Sequence, residues 1–340
     1  MEQAELRPEA VSVADVLARL QASVAEACVD PAQRRLLQVA LSGLNGQFQR
    51  SIAELGWVHC VELPLQVHAA VRGDCAPALP LAALCSSIFL GLDIFDDLAD
   101  GDEPERWRGY SPGQITLAAA LTANVLPAWL LARLPVSPER LLLMQRTLAD
   151  GYLRMAAGQQ SDLAMTGSAA PQATEVEASV LGKAGEQFAT YAALGAQLAG
   201  AEPARVALFA SVGRGLGIAG QLASDCFELF EAGFSRDLAA GTRTLPIAWY
   251  LQRLDGPARE DFLQLLDNAR SDRQAQLKVA DVLRAQGALR YTVFIAELHR
   301  QRALRALTEA APLEPAGSRL RAMLESVMAG AGGQQREERG

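Results

Sequence analysis

Four aspartates stand at helical spacing directly after an uncharged apolar segment, and carboxylates in that arrangement could bind metal ions. Residues 84–92 carry no charge, and the acidic residues that follow are Asp93, Asp96, Asp97 and Asp100. At about 100° per residue, a helix would place them within roughly a 100° arc of one face. Ionised carboxylates this close repel one another unless cations neutralise them. Their oxygens suit Mg²⁺ that also binds phosphate oxygens, although a solvated helix end would show the same pattern.

A second acidic cluster lies much later in the chain, after a stretch of small residues. Gln221, Ser224, Asp225, Glu228 and Glu231 fall within about 120° of one face if this segment is helical. The glycines and alanines that precede them would let the helix pack closely against a neighbour. Two such acidic faces, opposed on separate buried helices, would hold metal ions around a phosphorylated substrate. Taken alone, the second cluster is also compatible with an amphipathic surface helix.

Composition excludes several classes of function. The chain has 340 residues, half of them hydrophobic, and a formal net charge of −8 with no basic face, so we expect no nucleic-acid partner. Three histidines are too few to favour a histidine base or a His-rich zinc site. Five cysteines without a CxxC pair indicate buried thiols in a reducing compartment, so we expect a cytoplasmic protein. An acidic protein with an anionic substrate would need divalent metal as its cation.

Helical periodicity predicts an all-α fold. Alanine and leucine are abundant, and no strand-like alternation persists. The uncharged stretch between Arg108 and Arg133 contains prolines and polar residues, so we interpret it as a buried helix and expect no membrane span. We expect a flexible N-terminus at 1–12, one domain at 13–328 and a disordered tail at 329–340. Helical periodicity covers 13–55, and helices are predicted at 60–72, 78–100, 113–133, 137–165, 174–199, 203–232, 243–253, 257–268, 273–285 and 288–310.

Six short segments follow one another in an order that resembles a known family. They are DDLAD at 96–100, GQQSDL at 158–163, KAG at 183–185, QLASDCFE at 221–228, DLAAGTRTLP at 237–246 and GALRY at 287–291. The set is similar to the motifs of the trans-isoprenyl diphosphate synthase superfamily, the polyprenyl synthetases. The first and fourth segments resemble its two aspartate-rich motifs. Each motif is weak alone, but the ordered set spans roughly residues 57–310 and is specific.

The resemblance implies an all-α, single-domain isoprenoid synthase bundle around a deep apolar cavity. It also implies three Mg²⁺ ions that draw diphosphate from an allylic prenyl chain and leave a carbocation. The residues expected to act in the chemical step are Asp96, Asp97, Lys183 and Phe89. The implied metal ligands are Asp96, Asp97, Asp100, Ser224, Asp225 and Glu228. The residues expected to bind the diphosphate and the chain are Arg108, Gln159, Asp162, Lys183, Gln221, Arg236 and Arg243, with Gly91 and Leu92.

The chain departs from the family where elongating members bind isopentenyl diphosphate. Their GKRxRP segment, with three cations, corresponds to HCVELP at 59–64, of which only the proline remains. Phe89 stands in place of an upstream histidine, and Trp107 replaces one of two arginines. Each lost cation removes charge-assisted hydrogen bonds worth roughly 1.5–3 kcal/mol. We therefore expect weak binding of isopentenyl diphosphate.

The second aspartate-rich motif is altered as well. Ser224 and Glu228 resemble the serine and glutamate of the NSE metal motif of class I terpene cyclases, and Gly220 stands where that motif has asparagine. Together with the eroded acceptor site, this favours a terpene cyclase, which ionises one prenyl diphosphate and lets the cation attack its own double bonds. The alternatives are a short-chain prenyl diphosphate synthase, a prenyltransferase acting on a peptide or small aromatic acceptor, and a non-catalytic regulatory subunit.

The resemblance also gives expectations about substrate and assembly. Gly91 and Leu92 correspond to the cavity floor, and the small Gly91 favours a prenyl diphosphate of fifteen or twenty carbons. A homodimer is the family's habit. The aromatic candidates for steadying a carbocation, each compatible with ordinary core packing, are Phe89, Phe95, Trp107 and Phe188.

Overall fold

The computed structural model describes residues 11–101, 104–231 and 233–328, and helices joined by short turns make up this part of the chain. No strand occurs among these residues, so the predicted all-α fold is confirmed. The expected flexible N-terminus and disordered tail, at 1–12 and 329–340, lie outside the described residues except for positions 11 and 12. The domain limits of 13–328 stay a prediction.

Where a predicted helix corresponds to one in the structure, their limits agree to within about two residues. Two π-helical segments, Leu121–Val125 and Leu181–Gly185, join α5 to α6 and α8 to α9. The α-helices are α1 (Val13–Ala27), α2 (Pro31–Leu55), α3 (His59–Arg72), α4 (Leu79–Asp100), α5 (Pro112–Ala120), α6 (Leu126–Leu131), α7 (Pro138–Met165), α8 (Ala173–Val180), α9 (Glu186–Leu198), α10 (Pro203–Phe230), α11 (Arg236–Ala240), α12 (Leu245–Leu251), α13 (Gly256–Asn268), α14 (Arg273–Gln286), α15 (Ala288–Glu309) and α16 (Ala316–Ser326).

The periodic stretch at 13–55 is divided into two helices by local capping chemistry. Asp30 accepts a hydrogen bond from the backbone N–H of Gln33 at 2.7 Å, and Pro31 is the first residue of α2. An aspartate cap followed by proline is a strong helix start, because it satisfies a free N–H and needs none at the proline. Apolar spacing alone did not predict this break, nor did it predict the short helices α11 and α16.

One compact unit, residues Met1–Leu148, Tyr191–Phe209 and Ala310–Leu320, is built around α4. α4 packs against α1, α3, α5 and α6, and Leu81, Leu84 and Ile88 on it are fully buried. The α5–α6 helix crosses α4 at Gly91, where a Cβ would lie 2.6 Å from the Ala123 Cα. This crossing fixes the rotation of α4 and therefore the direction of the acidic residues at its end.

The second compact unit, residues Ala149–Thr190, Ala210–Glu309 and Arg321–Gly340, depends on close contacts between helices. A Cβ at Gly158 of α7 would lie 2.7 Å from the Gly182 Cα. A Cβ at Gly217 of α10 would lie 2.9 Å from the Ala184 carbonyl carbon. Only glycine permits such approaches, which hold α7 and α10 against the π segment Leu181–Gly185. Helices α12 to α14 bury an apolar core together with Leu229 of α10, Leu238 of α11 and Ala288 of α15.

Three helical stretches among the described residues have the length and hydropathy of a membrane span: Ala76–Ala99, Pro112–Leu131 and Pro203–Phe230. In Ala76–Ala99 the protein itself buries 67% of the most apolar window, so helix packing accounts for its composition. In Pro112–Leu131 the buried share is 44%. That helix therefore leaves an uncharged face uncovered.

We predict that Gly91→Ala lowers the free energy of unfolding by about 1–3 kcal/mol, because the new Cβ has no space beside the Ala123 backbone. The matched control is Gly46→Ala on α2, where the nearest atom is the end of Arg50 at 3.8 Å. The control should stabilise the helix by about 0.5–1 kcal/mol. Urea denaturation measures both changes, and equal effects at the two positions would contradict the packing role of Gly91.

Candidate active site

The first acidic cluster occupies the last turns of α4. Asp93, Asp96 and Asp97 are each partly exposed, and the helix ends at Gly101 in the left-handed conformation. Carboxylates at a helix C-terminus oppose the helix dipole, so this cluster needs positive charge nearby. Asp100 is the last helical residue, and its side chain lies outside the described residues.

An arginine that the sequence did not single out supplies part of that charge. Arg106 Nη2 lies 3.0 Å from Asp97 Oδ2 and 3.8 Å from Asp93 Oδ2. From α2, Gln47 Nε2 donates a hydrogen bond to Asp93 Oδ2 at 2.6 Å. Neither residue shares a helix with the aspartates, so no periodicity pointed to them. The folded chain thus compensates part of this acidic face with its own side chains.

Arg108 and Trp107 have other surroundings. The Arg108 side chain is 80% exposed and pairs with Glu105 at 2.7 Å, so its proposed contact with diphosphate stays a prediction. Trp107 is buried. Its ring centre lies 5.9 Å from that of Tyr110, in an edge-to-face arrangement, and 5.6 Å from the Arg106 guanidinium carbon. These contacts give Trp107 a packing role and no support for one beside a carbocation.

The segment at 59–64 forms the first turns of α3 and contains no lysine or arginine. Burial lowers the pKa of His59 to about 4, so its ring is neutral at pH 7. Gln66 Nε2 donates to Glu62 Oε2 at 3.0 Å. These turns of α3 therefore present a carboxylate and a neutral ring where elongating family members place cations. Phe89 of α4 is half-buried.

The second cluster lies on α10 and contains a buried carboxylate. Asp225 is 7% exposed and accepts a hydrogen bond from Gln221 Nε2 at 2.8 Å. Burial, with the negative charges of Asp237 and Asp162, raises the pKa of Asp225 to about 8, although Gln221 and Lys183 act against the rise. A carboxyl group in this state binds a proton at pH 7, and a divalent cation could replace that proton.

Lys183 stands at the centre of this group. Its Nζ lies 3.6 Å from Asp162 Oδ2 on α7, and its charge reaches Asp225 on α10. It belongs to the π segment that Gly158 and Gly182 hold against α7. Gln159, also predicted from the sequence, lies one turn before Asp162 and is half-buried. The structure therefore brings three sequence-predicted residues, Lys183, Asp162 and Asp225, into one electrostatic group.

Glu228 and Ser224 are less closely involved in that group. Glu228 Oε1 accepts hydrogen bonds from the backbone N–H groups of Arg236 and Asp237, the second at 3.4 Å, and so anchors the start of α11. Arg236 Nε lies 3.8 Å from the same carboxylate. Ser224 is exposed on α10. Metal binding by Glu228 and Ser224 stays a prediction.

Arg243 organises the backbone before α12. Its Nε donates to the Ser168 carbonyl at 2.8 Å and its Nη1 to the Gly241 carbonyl at 3.2 Å. Burial and the neighbouring Arg270 lower the pKa of Arg243 from its ordinary value. Two guanidinium nitrogens are therefore used structurally, and its predicted contact with diphosphate has no direct support.

Glu186 is an ion-pair centre that sequence spacing could not reveal. Its carboxylate accepts from Arg154 Nε of α7 and from Arg214 Nε of α10, both at 2.7 Å. Burial raises the pKa of Glu186, but the hydrogen bonds and charges of Arg214 and Arg154 outweigh this and hold it below its ordinary value. The three residues tie α7, α9 and α10 together close to Lys183.

Gly91 and Leu92 were expected to floor a cavity. The space beside Gly91 is filled by the Ala123 backbone, so the absence of a side chain there serves helix packing. The small size of Gly91 therefore has a packing explanation, and the expectation of a long substrate stays a prediction. Leu92 is half-buried on α4.

The donor set fits Mg²⁺ held together with a substrate. Among the described residues, no three Asp, Glu, His or Cys side chains are grouped closely enough to enclose a metal by themselves. Mg²⁺ typically takes one or two carboxylates and completes its shell with phosphate oxygens and water. The buried Asp225, whose charge is incompletely compensated, is an independent indication that this position suits a cation.

We predict an unusual pH dependence for the metal-free protein. The pKa of Asp225 is about 8 when folded and near 3.8 when unfolded, so the folded state binds the extra proton between these values. The stability contribution of this group is complete below the unfolded pKa and is lost as pH rises through the folded pKa. The slope is up to about 1.4 kcal/mol per pH unit.

Asp225→Asn should remove that contribution. Urea denaturation in EDTA, compared between wild type and variant across this pH range, measures it, and Asp150→Asn on exposed α7 surface serves as the control. Parallel pH profiles for wild type and Asp225→Asn would contradict the raised pKa.

The fold has many solved relatives. Geranylgeranyl pyrophosphate synthetase from Pyrococcus horikoshii Ot3 superposes with a TM-score of 0.74 at 20% identity, covering 92% of this chain and 98% of that one. The synthetase from the archaeon Geoglobus acetivorans gives 0.76 at 17% identity, covering 93% and 99%. Polyprenyl synthase from Caulobacter crescentus CB15, complexed with calcium and isoprenyl diphosphate, gives 0.69 at 20% identity, covering 96% and 98%. At these identities the likeness establishes the fold.

Direct sequence comparison with curated proteins gives no match. A family model described as polyprenyl synthetase matches residues 65–283, which is more than half of the chain. The match includes both acidic clusters and the lysine between them. The chain therefore belongs to the polyprenyl synthetase family.

Proposed function

We propose that this chain is a Mg²⁺-dependent prenyltransferase that ionises an allylic prenyl diphosphate and passes the prenyl group to an acceptor. The observation that carries the proposal is the group of Lys183, Asp162 and Asp225 within the part of the chain that matches the family. A cation beside a protonated, buried carboxyl group is suited to an anionic substrate that arrives with metal. The order of the motifs, which resembles that of the family, supports a role in metal binding for each acidic cluster.

Lys183 is the proposed diphosphate ligand. Asp162, 3.6 Å away, orients the ammonium group, and the glycine contact between Gly158 and Gly182 limits movement of the backbone that carries it. An ammonium–phosphate hydrogen bond is charge-assisted and about twice as strong as a neutral one. Lys183 would therefore hold the diphosphate before and after the carbon–oxygen bond breaks.

When bound, Mg²⁺ neutralises diphosphate oxygens and makes the diphosphate a better leaving group. Asp96, Asp97 and Asp100 on α4 are the proposed ligands from one cluster, and Ser224, Asp225 and Glu228 on α10 those from the other, for three ions in all. Asp225 must release its proton to take part, while Gln221 stays hydrogen-bonded to Oδ1. The released diphosphate can accept a proton, which suits a chain with few histidines.

Cyclisation of the prenyl cation is the second candidate, and a specific observation favours it. The start of α3 presents Glu62 and a neutral His59, where elongating family members supply cations for isopentenyl diphosphate. A pocket so poor in positive charge binds a second diphosphate weakly. The family match supports transfer of the prenyl group, and the absence of cations at residues 59–64 supports cyclisation. The two candidates differ in whether a second molecule accepts the prenyl group. The preference for fifteen or twenty carbons now rests on the resemblance alone.

We predict that purified protein with Mg²⁺ releases diphosphate from geranyl, farnesyl or geranylgeranyl diphosphate. Product analysis by mass spectrometry, with and without isopentenyl diphosphate, distinguishes the candidates. Longer diphosphates that require isopentenyl diphosphate support elongation, and hydrocarbons or alcohols formed without it support cyclisation. Prenylation of an added peptide or aromatic compound would identify another acceptor. No release from any substrate would refute the proposal and favour a regulatory subunit.

Asp96→Ala is the variant that tests the metal assignment in the same assay. We expect turnover to fall by roughly a hundredfold or more, with little change in helix content. The control is Glu54→Ala, an exposed acidic position on α2. Full activity of Asp96→Ala would show that the α4 cluster does not hold the metal.

We also propose a homodimer and a cytoplasmic location. The α5–α6 helix exposes Leu117 by 51% and Val125 by 55%, two turns apart on a helix without charge. Such an uncharged face is typical of a surface that another chain covers. The five cysteines are unpaired, which supports a reducing compartment.

A double charge substitution tests the dimer. Leu117→Glu with Val125→Glu should shift the protein to monomers in sedimentation analysis, because ionised side chains resist burial in an interface. Val29→Glu, at a position 90% exposed between α1 and α2, should leave the mass unchanged. A wild-type monomer at micromolar concentration would contradict the proposal.

A further inference from the structure

We infer that Arg243 and Arg270 form a binding site for a phosphate-type anion at the turn that follows α7, residues 166–170. Both arginines and this turn belong to the second compact unit. The ligand is free phosphate or inorganic diphosphate, which share the chemistry that arginine recognises. The site needs no metal ion and no prenyl group, so the inference stands apart from the proposed function.

Arg243 ties the turn after α7 to the turn before α12. Its Nε donates to the Ser168 carbonyl at 2.8 Å and its Nη1 to the Gly241 carbonyl at 3.2 Å. The Gly167 N–H donates to the same Gly241 carbonyl at 2.9 Å. Backbone atoms of two turns therefore hold the guanidinium in place. Its Nη2 makes no hydrogen bond to the described residues and is not fully buried.

Arg270, between α13 and α14, reaches the same backbone from another side. Its Nη2 donates to the carbonyl of Ala240, the residue before Gly241, at 3.2 Å. A Cβ at Gly241 would lie 3.3 Å from Arg270 Cζ, so the missing side chain lets the guanidinium approach. The Arg270 side chain is exposed, and its Nε and Nη1 have no hydrogen-bond partner in the described part of the chain. Two guanidinium groups therefore meet at two consecutive residues.

No ion pair offsets these two positive charges. Among the residues that the structure describes, no carboxylate oxygen lies within 4.0 Å of a nitrogen of either guanidinium. Burial and the neighbouring Arg270 lower the pKa of Arg243, and the charge of the exposed Asp267 acts against this change. A half-buried charge beside a like charge is costly unless an anion offsets it.

The surroundings suit an anion with several charged oxygens. A third arginine, Arg259, donates from Nη2 to the Ala169 carbonyl at 2.7 Å, so more positive charge lies on the same turn. Planar guanidinium groups match phosphate oxygens with paired, charge-assisted hydrogen bonds. The unused nitrogens of Arg243 and Arg270 are donors of this kind.

The arginine site and the group around Lys183 are distinct in their electrostatics. Besides burial, Arg270 and Asp267 act on the pKa of Arg243. The charges that act on the pKa of Asp225 are different ones, Lys183 among them. An experiment can therefore separate anion binding at the two positions.

The test is isothermal titration calorimetry of the full chain with inorganic phosphate and, separately, inorganic diphosphate, in EDTA at low ionic strength. Arg270→Gln removes one charge of the site, and Arg270→Lys keeps the charge without the planar donors. Arg146→Gln, at an exposed position of α7, removes the same charge elsewhere. Lys183→Gln removes the cation of the other group. Circular dichroism checks that each variant is folded.

Wild type should bind at least one of the two anions with a dissociation constant below about 1 mM at low salt, where charges are least screened. Arg270→Gln should weaken that binding by about tenfold or more, because charge-assisted hydrogen bonds are lost. Arg270→Lys should weaken it less, and it replaces Arg270→Gln in the comparison if that variant does not fold.

The two controls should keep the dissociation constant for phosphate within about threefold of wild type, since neither touches the arginine site. In Lys183→Gln, the anion that binds more tightly identifies the ligand that the site prefers, and either result supports the site.

Three results would overturn the inference. The first is no binding of either anion to folded wild type at concentrations up to about 10 mM. The second is equal weakening by Arg270→Gln and Arg146→Gln, which would be a general effect of net charge. The third is loss of phosphate binding in Lys183→Gln with binding kept in Arg270→Gln, which would place the anion at Lys183. Because the measurement uses no metal and no turnover, an inactive enzyme would leave its result unchanged.

Discussion

Desolvation of carboxylates is the constraint on which the rest of this structure depends. Helices that pack through apolar faces also carry acidic residues into half-buried positions, where an ionised group without a partner is costly. Glu186 receives two arginines, Asp97 receives one, and Glu228 accepts backbone N–H groups at the start of α11. Asp225 has only partial compensation and responds with a raised pKa. Among these four carboxylates, only Asp225 has a negative charge that its neighbours compensate incompletely. A carboxylate of that kind is suited to binding a metal ion.

Close helix contacts at glycines fix the orientation of the helices that carry these carboxylates. Gly91 lets α5–α6 cross α4 at backbone distance, and Gly158, Gly182 and Gly217 do the same around the π segment that carries Lys183. Backbone-to-backbone contacts leave little freedom of rotation, because neither surface can adjust as a flexible side chain would. The π segment adds a residue to a helical turn, a feature that is frequent at functional sites. Lys183 thus lies on a segment that close backbone contacts hold on two sides.

The family's reaction has two requirements that different residues meet: ionisation of an allylic diphosphate and binding of the acceptor, isopentenyl diphosphate. Under the proposed function, Lys183 and Asp225 of the second unit serve to break the carbon–oxygen bond to diphosphate. Binding of isopentenyl diphosphate requires further cations, and the first turns of α3 provide none. An enzyme can keep ionisation while changing its acceptor, because the two tasks use different residues. This separation explains why one chain can match the family over residues 65–283 and still depart from its elongating members.

The sequence by itself determined most of the helices, because proline, glycine and apolar spacing act over a few residues, and the order of its motifs indicated the family. The break between α1 and α2 and the helices α11 and α16 were not predicted. It also identified Lys183, Asp162 and Asp225 as residues for one site. Only the tertiary structure decided which charges meet. Arg106 on Asp97 and the two arginines on Glu186 come from different helices or turns, and no local periodicity encodes such pairs. Gly91 likewise resembled a cavity residue in the sequence and is a packing residue in the fold, because the space beside it belongs to another helix.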